Sequence, residues 1–136
     1  MQLIRSADEM ILFGQQFSKQ LKSGDIVFLH GELGAGKTTL VRGILKGFGY
    51  DGIVKSPTYA LVESYFFETI TIHHFDFYRL HDVSELEMMG FSDYLSKDAI
   101  LLIEWPERFA AALPKPAFVW NIHTVEGTRA VASGIA

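Results

Sequence analysis

The stretch Gly31-Glu32-Leu33-Gly34-Ala35-Gly36-Lys37-Thr38 carries the residues best equipped for chemistry. It fills every fixed position of the pattern G-x-x-x-x-G-K-[ST], in which a glycine-rich backbone turns its N–H groups inward onto phosphate oxygens. Lys37 reaches the β- and γ-phosphates as a cation, and the Thr38 hydroxyl is an oxygen ligand for Mg²⁺. The nucleotide cradle is therefore expected along the backbone of Glu32, Leu33, Gly34, Ala35, Gly36, Lys37, Thr38 and Thr39. The bland alternative is a glycine-rich turn that happens to contain Lys-Thr. The flanks argue against it. Asp25-Ile26-Val27-Phe28-Leu29-His30 reads as a buried strand, and residues 39–48 read as a helix with Leu40, Ile44, Leu45 and Phe48 on one face. A helix start adds its partial positive charge where a phosphate would sit.

Two carboxylates fall at the ends of apolar runs. Asp98-Ala99-Ile100-Leu101-Leu102-Ile103-Glu104 reads as a central strand buried on both faces and stopped by Trp105-Pro106. Ile70-Thr71-Ile72-His73-His74-Phe75-Asp76 reads as a further strand ending in an acid. Ligands of open α/β sheets bind beyond the carboxyl ends of the strands. Glu104 and Asp76 are thus expected near the phosphate loop, provided their strands run parallel to the first. An apolar strand ending in an acid has the form of the second nucleotide-site motif, whose acid holds Mg²⁺; the alternative for each is a solvated strand end. His73 and His74 invite a metal reading, but neighbours on a strand face opposite ways, and both are read as structural. Lys55-Ser56-Pro57-Thr58-Tyr59 is a loop around a fixed proline. It is either a polar connector into a strand over 61–67 or a loop near the γ-phosphate that orders when nucleotide binds.

The elements that must hold these residues fit one domain over residues 1–136. A composition of 49% hydrophobic and 21% charged residues supports a packed core and excludes disorder. The absence of cysteine rules out disulfides and thiolate zinc sites and suits a reducing cytoplasm. Met1-Gln2-Leu3-Ile4-Arg5 lacks the apolar run of a secretory leader, and no stretch approaches the ~20 apolar residues of a membrane span. A net charge of −4 disfavours holding nucleic acid unaided. Ser6-Ala7-Asp8-Glu9 has capping-box spacing and opens a helix to about residue 21, with Met10, Phe13, Phe17 and Leu21 toward the core. Asp82 is a candidate N-cap paired with Glu85. Pro106 can start a short helix over 107–113. Phe118, Trp120 and Ile122 alternate on a late strand. Glu126-Gly127 has the form of a hairpin turn into a strand over 128–131, followed by a patternless tail over 132–136.

Taken together and in order, the phosphate loop, Ser56-Pro57-Thr58-Tyr59, His74-Phe75-Asp76-Phe77-Tyr78-Arg79-Leu80, Glu85-Leu86-Glu87-Met88-Met89-Gly90-Phe91 and Leu102-Ile103-Glu104-Trp105-Pro106-Glu107 resemble the bacterial TsaE (YjeE) family. These are small ATPases of tRNA threonylcarbamoyladenosine synthesis. The likeness runs from about residue 25 to 107 and is carried most specifically by the Ser-Pro-Thr-Tyr and Glu-Trp-Pro blocks. It implies an α/β, P-loop NTPase-like three-layer sandwich with a mixed, mainly parallel central sheet. It implies ATP or ADP with Mg²⁺ as cofactors, Lys37 on the phosphates, Thr38 and Glu104 at the metal, and Asp76 near the γ-phosphate and its water. Lys37, Asp76 and Glu104 are the expected catalytic set. Ser56, Thr58, Tyr59, Arg79 and Trp105 are the expected switch and partner residues. The implied partners are TsaB and TsaD family proteins, which form a threonylcarbamoyl-transfer complex acting on adenosine 37 of tRNA. The tRNA itself would be met mainly through them, in the cytoplasm and away from membranes.

Two other readings compete. A stand-alone small-molecule kinase needs an acceptor pocket and an Arg-rich lid, for which no lid-sized insertion is visible. A GTP switch needs Asn-Lys-x-Asp, and the sole asparagine, Asn121, is followed by Ile122. Lys37→Ala is expected to abolish tight ATP binding or hydrolysis, measured by nucleotide titration and phosphate release; parent-like turnover would remove this loop as the site.

Overall fold

The structure is a computed structural model that describes residues 2–125 and 128–133. Its strands are β1 (Gln2–Ile4), β2 (Ile26–His30), β3 (Val62–Phe66), β4 (Thr71–Asp76), β5 (Ala99–Glu104), β6 (Phe118–Val125) and β7 (Thr128–Ser133). Its α-helices are α1 (Ala7–Ser18), α2 (Lys37–Gly47) and α3 (Ser84–Met88). Among the described residues the strands form one sheet in the order β1-β7-β6-β2-β5-β4-β3. The central four, β6-β2-β5-β4, are mutually parallel, while β3, β7 and β1 add to the flanks antiparallel. The sheet is thus mixed with a parallel centre.

Burial explains the arrangement. Every residue of β5 is buried, as a strand covered on both faces requires. Side chains alternate between two apolar layers. Val27, Leu29, Ile72, Ile100, Leu102 and Ile122 face α1 and α2, packing with Met10, Phe17, Leu40 and Ile44. Ile26, Phe28, Phe75, Leu101, Ile103 and Val119 face the other way, under Leu86 of α3 and Phe77, Phe91 and Phe109 from the connecting turns.

Helix α1 begins as its capping box predicts: the Ser6 hydroxyl accepts from the Glu9 amide at 3.1 Å, and the Glu9 carboxylate accepts from Arg5 N at 3.2 Å. Helix α2 begins differently. Its N-cap, Gly36, has φ +113° and offers no side-chain cap. The first-turn N–H groups are left for another acceptor. Stability comes instead from Leu40, Val41, Ile44 and Leu45, all fully buried. Each contributes roughly 1.5–3 kcal/mol, which outweighs the ~1 kcal/mol of a missing cap.

Some boundaries differ from expectation. Helix α3 starts at Ser84; Asp82 and Glu85 still make the capping bonds, with Asp82 Oδ1 accepting from Ser84 N and Glu85 Oε1 from Asp82 N. Residues 107–113 form two 3₁₀ turns, Pro106–Arg108 and Ala110–Ala112, rather than one short helix. Strand β7 runs on to Ser133, into the stretch expected to lack pattern, because it pairs with both β6 and β1. The expected turn at Glu126-Gly127 lies outside the described residues, as do residues 134–136.

Helices α1 and α2 meet at glycines. A Cβ on Gly43 would stand 2.3 Å from the Ile11 carbonyl oxygen, and one on Gly14 would stand 2.7 Å from that of Leu40. Gly43→Ala is therefore expected to destabilise the protein by roughly 2 kcal/mol through overpacking against backbone, measured as a lower urea midpoint. A parent-like midpoint would show that the two helices part without cost.

Candidate functional site

Three parallel strands end in register. Leu29 of β2 lies beside Glu104 of β5, and Glu104 beside Asp76 of β4. The chain leaving β2 becomes the glycine loop at the same edge. Gly31 comes close to β6, where an added Cβ would sit 2.8 Å from the Ile122 carbonyl oxygen. The loop and the start of α2 enclose a cavity of about 260 Å³. Its lining is Leu33, Gly34, Gly36, Lys37, Thr38 and Thr39 from the loop side, with Ser56, Thr58, Asp76, Glu104 and Trp105 opposite.

Lys37 is buried, and its ammonium donates to the Gly31 carbonyl and stands 3.7 Å above the centre of the Trp105 ring. Burial pushes this amine below its ordinary value, against the pull of Glu104, Asp76, Glu107 and Glu32 in the other direction. Trp105 is held by an unusual backbone: its φ of +58° places a bulky residue in the left-handed region, at a cost of about 1–2 kcal/mol. The Tyr78 ring packs against it at 4.8 Å. The strain turns the indole under the lysine as the chain leaves β5.

The two carboxylates have different company. Glu104 Oε2 accepts from the Thr38 hydroxyl at 3.1 Å and lies 2.6 Å from His74 Nε2, with both Glu104 and His74 buried. Thr38 and Glu104 form a pair of hard oxygen donors of the kind Mg²⁺ takes. Asp76 holds loops: Oδ1 accepts from Tyr78 N at 2.9 Å, and Oδ2 from Thr58 Oγ1 at 3.1 Å and Ser56 Oγ at 3.3 Å. The loop with Ser56 and Thr58 is thereby tied to the end of β4.

Other expected residues lie outside the lining. The Arg79 guanidinium stacks 4.5 Å over the ring of Tyr59, which is 85% exposed. Glu32 turns its carboxylate to Thr124 N at 3.3 Å, and Ala35 is buried with its N–H on the Glu32 carbonyl. His73 and His74 do face opposite ways. His73 Nδ1 pairs with Ser64 Oγ at 2.7 Å, and burial lowers its pKa. His74, read as structural, lies buried behind the cavity lining, where its Nε2 meets Glu104. The contact depends on the β4–β5 register, which places His74 beside Leu102, two residues before Glu104. A larger hollow of about 500 Å³ lies under α3, lined by Val83, Leu86, Phe91, Leu95 and Leu113 among others. It lacks the convergent charges of the smaller cavity, and chemistry rather than volume distinguishes the two.

Comparison with known proteins places these features in context. Residues 4–131 match the family model described as TsaE, Threonylcarbamoyl adenosine biosynthesis protein TsaE. A Haemophilus influenzae protein named tRNA threonylcarbamoyladenosine biosynthesis protein TsaE is 46% identical over 133 residues, covering 94% of this chain and 84% of its own length. A Rickettsia conorii protein of the same name is 34% identical, covering 98% of this chain and 76% of its own. The crystal structure of Bacillus subtilis YdiB superposes with a TM-score of 0.81 over 97% of this chain and 82% of that one, at 24% identity, and shares the fold.

An anion that draws Lys37 toward the cavity must take it off the Trp105 ring. Titrating ADP with Mg²⁺ is therefore expected to change tryptophan fluorescence in the parent and not in Trp105→Phe. Trp120 packs against Phe13 and Phe17 and does not line the cavity. A signal that survives unchanged in Trp105→Phe would place this residue outside the responsive region.

Proposed function

The chain belongs to the TsaE family of threonylcarbamoyl adenosine biosynthesis proteins, and from this premise we propose that it is a cytoplasmic P-loop ATPase, one domain over residues 1–136. In this reading it binds ATP with Mg²⁺ and hydrolyses it slowly, as a component of the machinery that forms N6-threonylcarbamoyladenosine at position 37 of tRNA. The observation that carries the reading is the convergence of Lys37, Thr38, Asp76 and Glu104 on one cavity at the carboxyl ends of parallel strands.

Each residue has a role that follows from its chemistry. The uncapped first turn of α2 and the glycine loop bind phosphate oxygens, and Lys37 neutralises charge on the β- and γ-phosphates. Thr38 and Glu104 would hold Mg²⁺, which supplies Lewis-acid polarisation of the phosphoryl group. Asp76 orients the attacking water and answers to the loop of Ser56 and Thr58. Fast turnover also needs an arginine on the developing charge and exclusion of solvent. Among the described residues no arginine lines the cavity; Arg79 is stacked outside on Tyr59. TsaB and TsaD family partners that order this loop, and meet the tRNA, complete the site in this reading. A stand-alone kinase is disfavoured, because the larger hollow lies under α3, on the sheet face opposite α2.

The test is ATP hydrolysis with and without a purified TsaB–TsaD complex. Stimulation of about tenfold or more is expected, and Glu104→Ala is expected to lower the stimulated rate by about a hundredfold while ADP affinity changes far less. A fast isolated enzyme, indifferent to the complex, would overturn the reading.

A further inference from the structure

We propose that His74 is a positioning residue for the metal half of the site: it fixes the Glu104 carboxylate in the orientation that receives Thr38 and a divalent cation. The inference rests on the proposed role of Thr38 and Glu104. The imidazole is fully buried on β4, on the face that carries Ile72 and Asp76 toward α2. In register it stands beside Leu102, two residues before Glu104 on the neighbouring strand. Its Nε2 lies 2.6 Å from Glu104 Oε2, while its Nδ1 is buried with no partner among the described residues.

That asymmetry assigns the tautomer. The carboxylate oxygen only accepts, so the proton between them sits on Nε2. A bare Nδ1 in an apolar surrounding costs less than a buried N–H there with nothing to donate to. The ring therefore acts as a fixed donor aimed at one oxygen. The Thr38 hydroxyl, 3.1 Å away, gives that same oxygen its second donor. Glutamate has rotatable bonds enough to leave the cavity, whereas a ring wedged between strand and helix does not move. Mg²⁺ demands near-ideal octahedral geometry at short distance, so drift of its carboxylate is felt directly. Groups that hold metal ligands in this way typically govern affinity by a factor of 10–100.

Mn²⁺ is the probe, followed by electron paramagnetic resonance on the full chain with ADP present, beside ADP titrations in chelator. His74→Leu is expected to weaken Mn²⁺ binding about tenfold or more and to leave metal-free ADP affinity within about twofold. His74→Gln, whose amide N–H reaches the place of Nε2, is expected to stay within about threefold of the parent, and the shorter His74→Asn to fall with leucine. Parent-like Mn²⁺ binding by His74→Leu overturns the inference and leaves the proposed function standing. Equal losses in His74→Gln and His74→Leu overturn it as well, since packing alone would then account for the effect. If the parent shows no ADP-dependent Mn²⁺ binding, the metal assignment of Thr38 and Glu104 fails first. Should His74→Leu not fold, His74→Gln against His74→Asn decides: a difference supports the inference and equality overturns it.

Discussion

Leu29, Glu104 and Asp76 lie side by side at the ends of β2, β5 and β4, and the rest of the site depends on that row. Strand side chains alternate, so a slip of one residue in either ladder would carry a carboxylate to the wrong face of the sheet. Burial prevents the slip. Ile100 and Leu102 lie on one side of β5, Leu101 and Ile103 on the other, and shifting them exchanges neighbours in both layers at once. The polar end of the row is secured by the apolar length of the strands behind it.

The phosphate loop is fixed by the same logic from above. Its helix gains nothing from a cap and everything from its buried face, so its first N–H groups stay available without endangering the fold. The close approach of α1 and α2 at Gly14 and Gly43 fixes how the two helices lie side by side on one face of the sheet. Thr38 then comes within hydrogen-bond distance of Glu104, although sixty-six positions separate them in the chain.

Much of this was legible in the sequence. The loop has a rigid spacing, and β5 is apolar enough to announce itself as a central strand with its acid at the end. The Ser6–Glu9 cap and the core faces of α1 and α2 follow from local patterns, whereas the parallel course of β4, on which the place of Asp76 depended, is settled by its pairing with β5. What escaped depends on register and tertiary packing. His74 looked inert because its partner sits on another strand, and only the β4–β5 pairing makes them meet. The left-handed backbone of Trp105 leaves no mark in residue type, since the preference there is for glycine. The segment after Pro106 winds into two 3₁₀ turns rather than a helix, and Phe109 between them packs on Phe77, a contact that no local pattern announces.

The three bonds to Asp76 carry a consequence for energy balance. A carboxylate offers about four lone-pair directions, and Tyr78 N, Ser56 Oγ and Thr58 Oγ1 already occupy most of them. One direction stays open beside these donors, so the acid holds the loop and still keeps room for a water on the cavity side. Because Ser56 and Thr58 share one oxygen, moving their loop strips two donors from the same side of the acid at once, so the end of β4 and the loop hold or part as a unit.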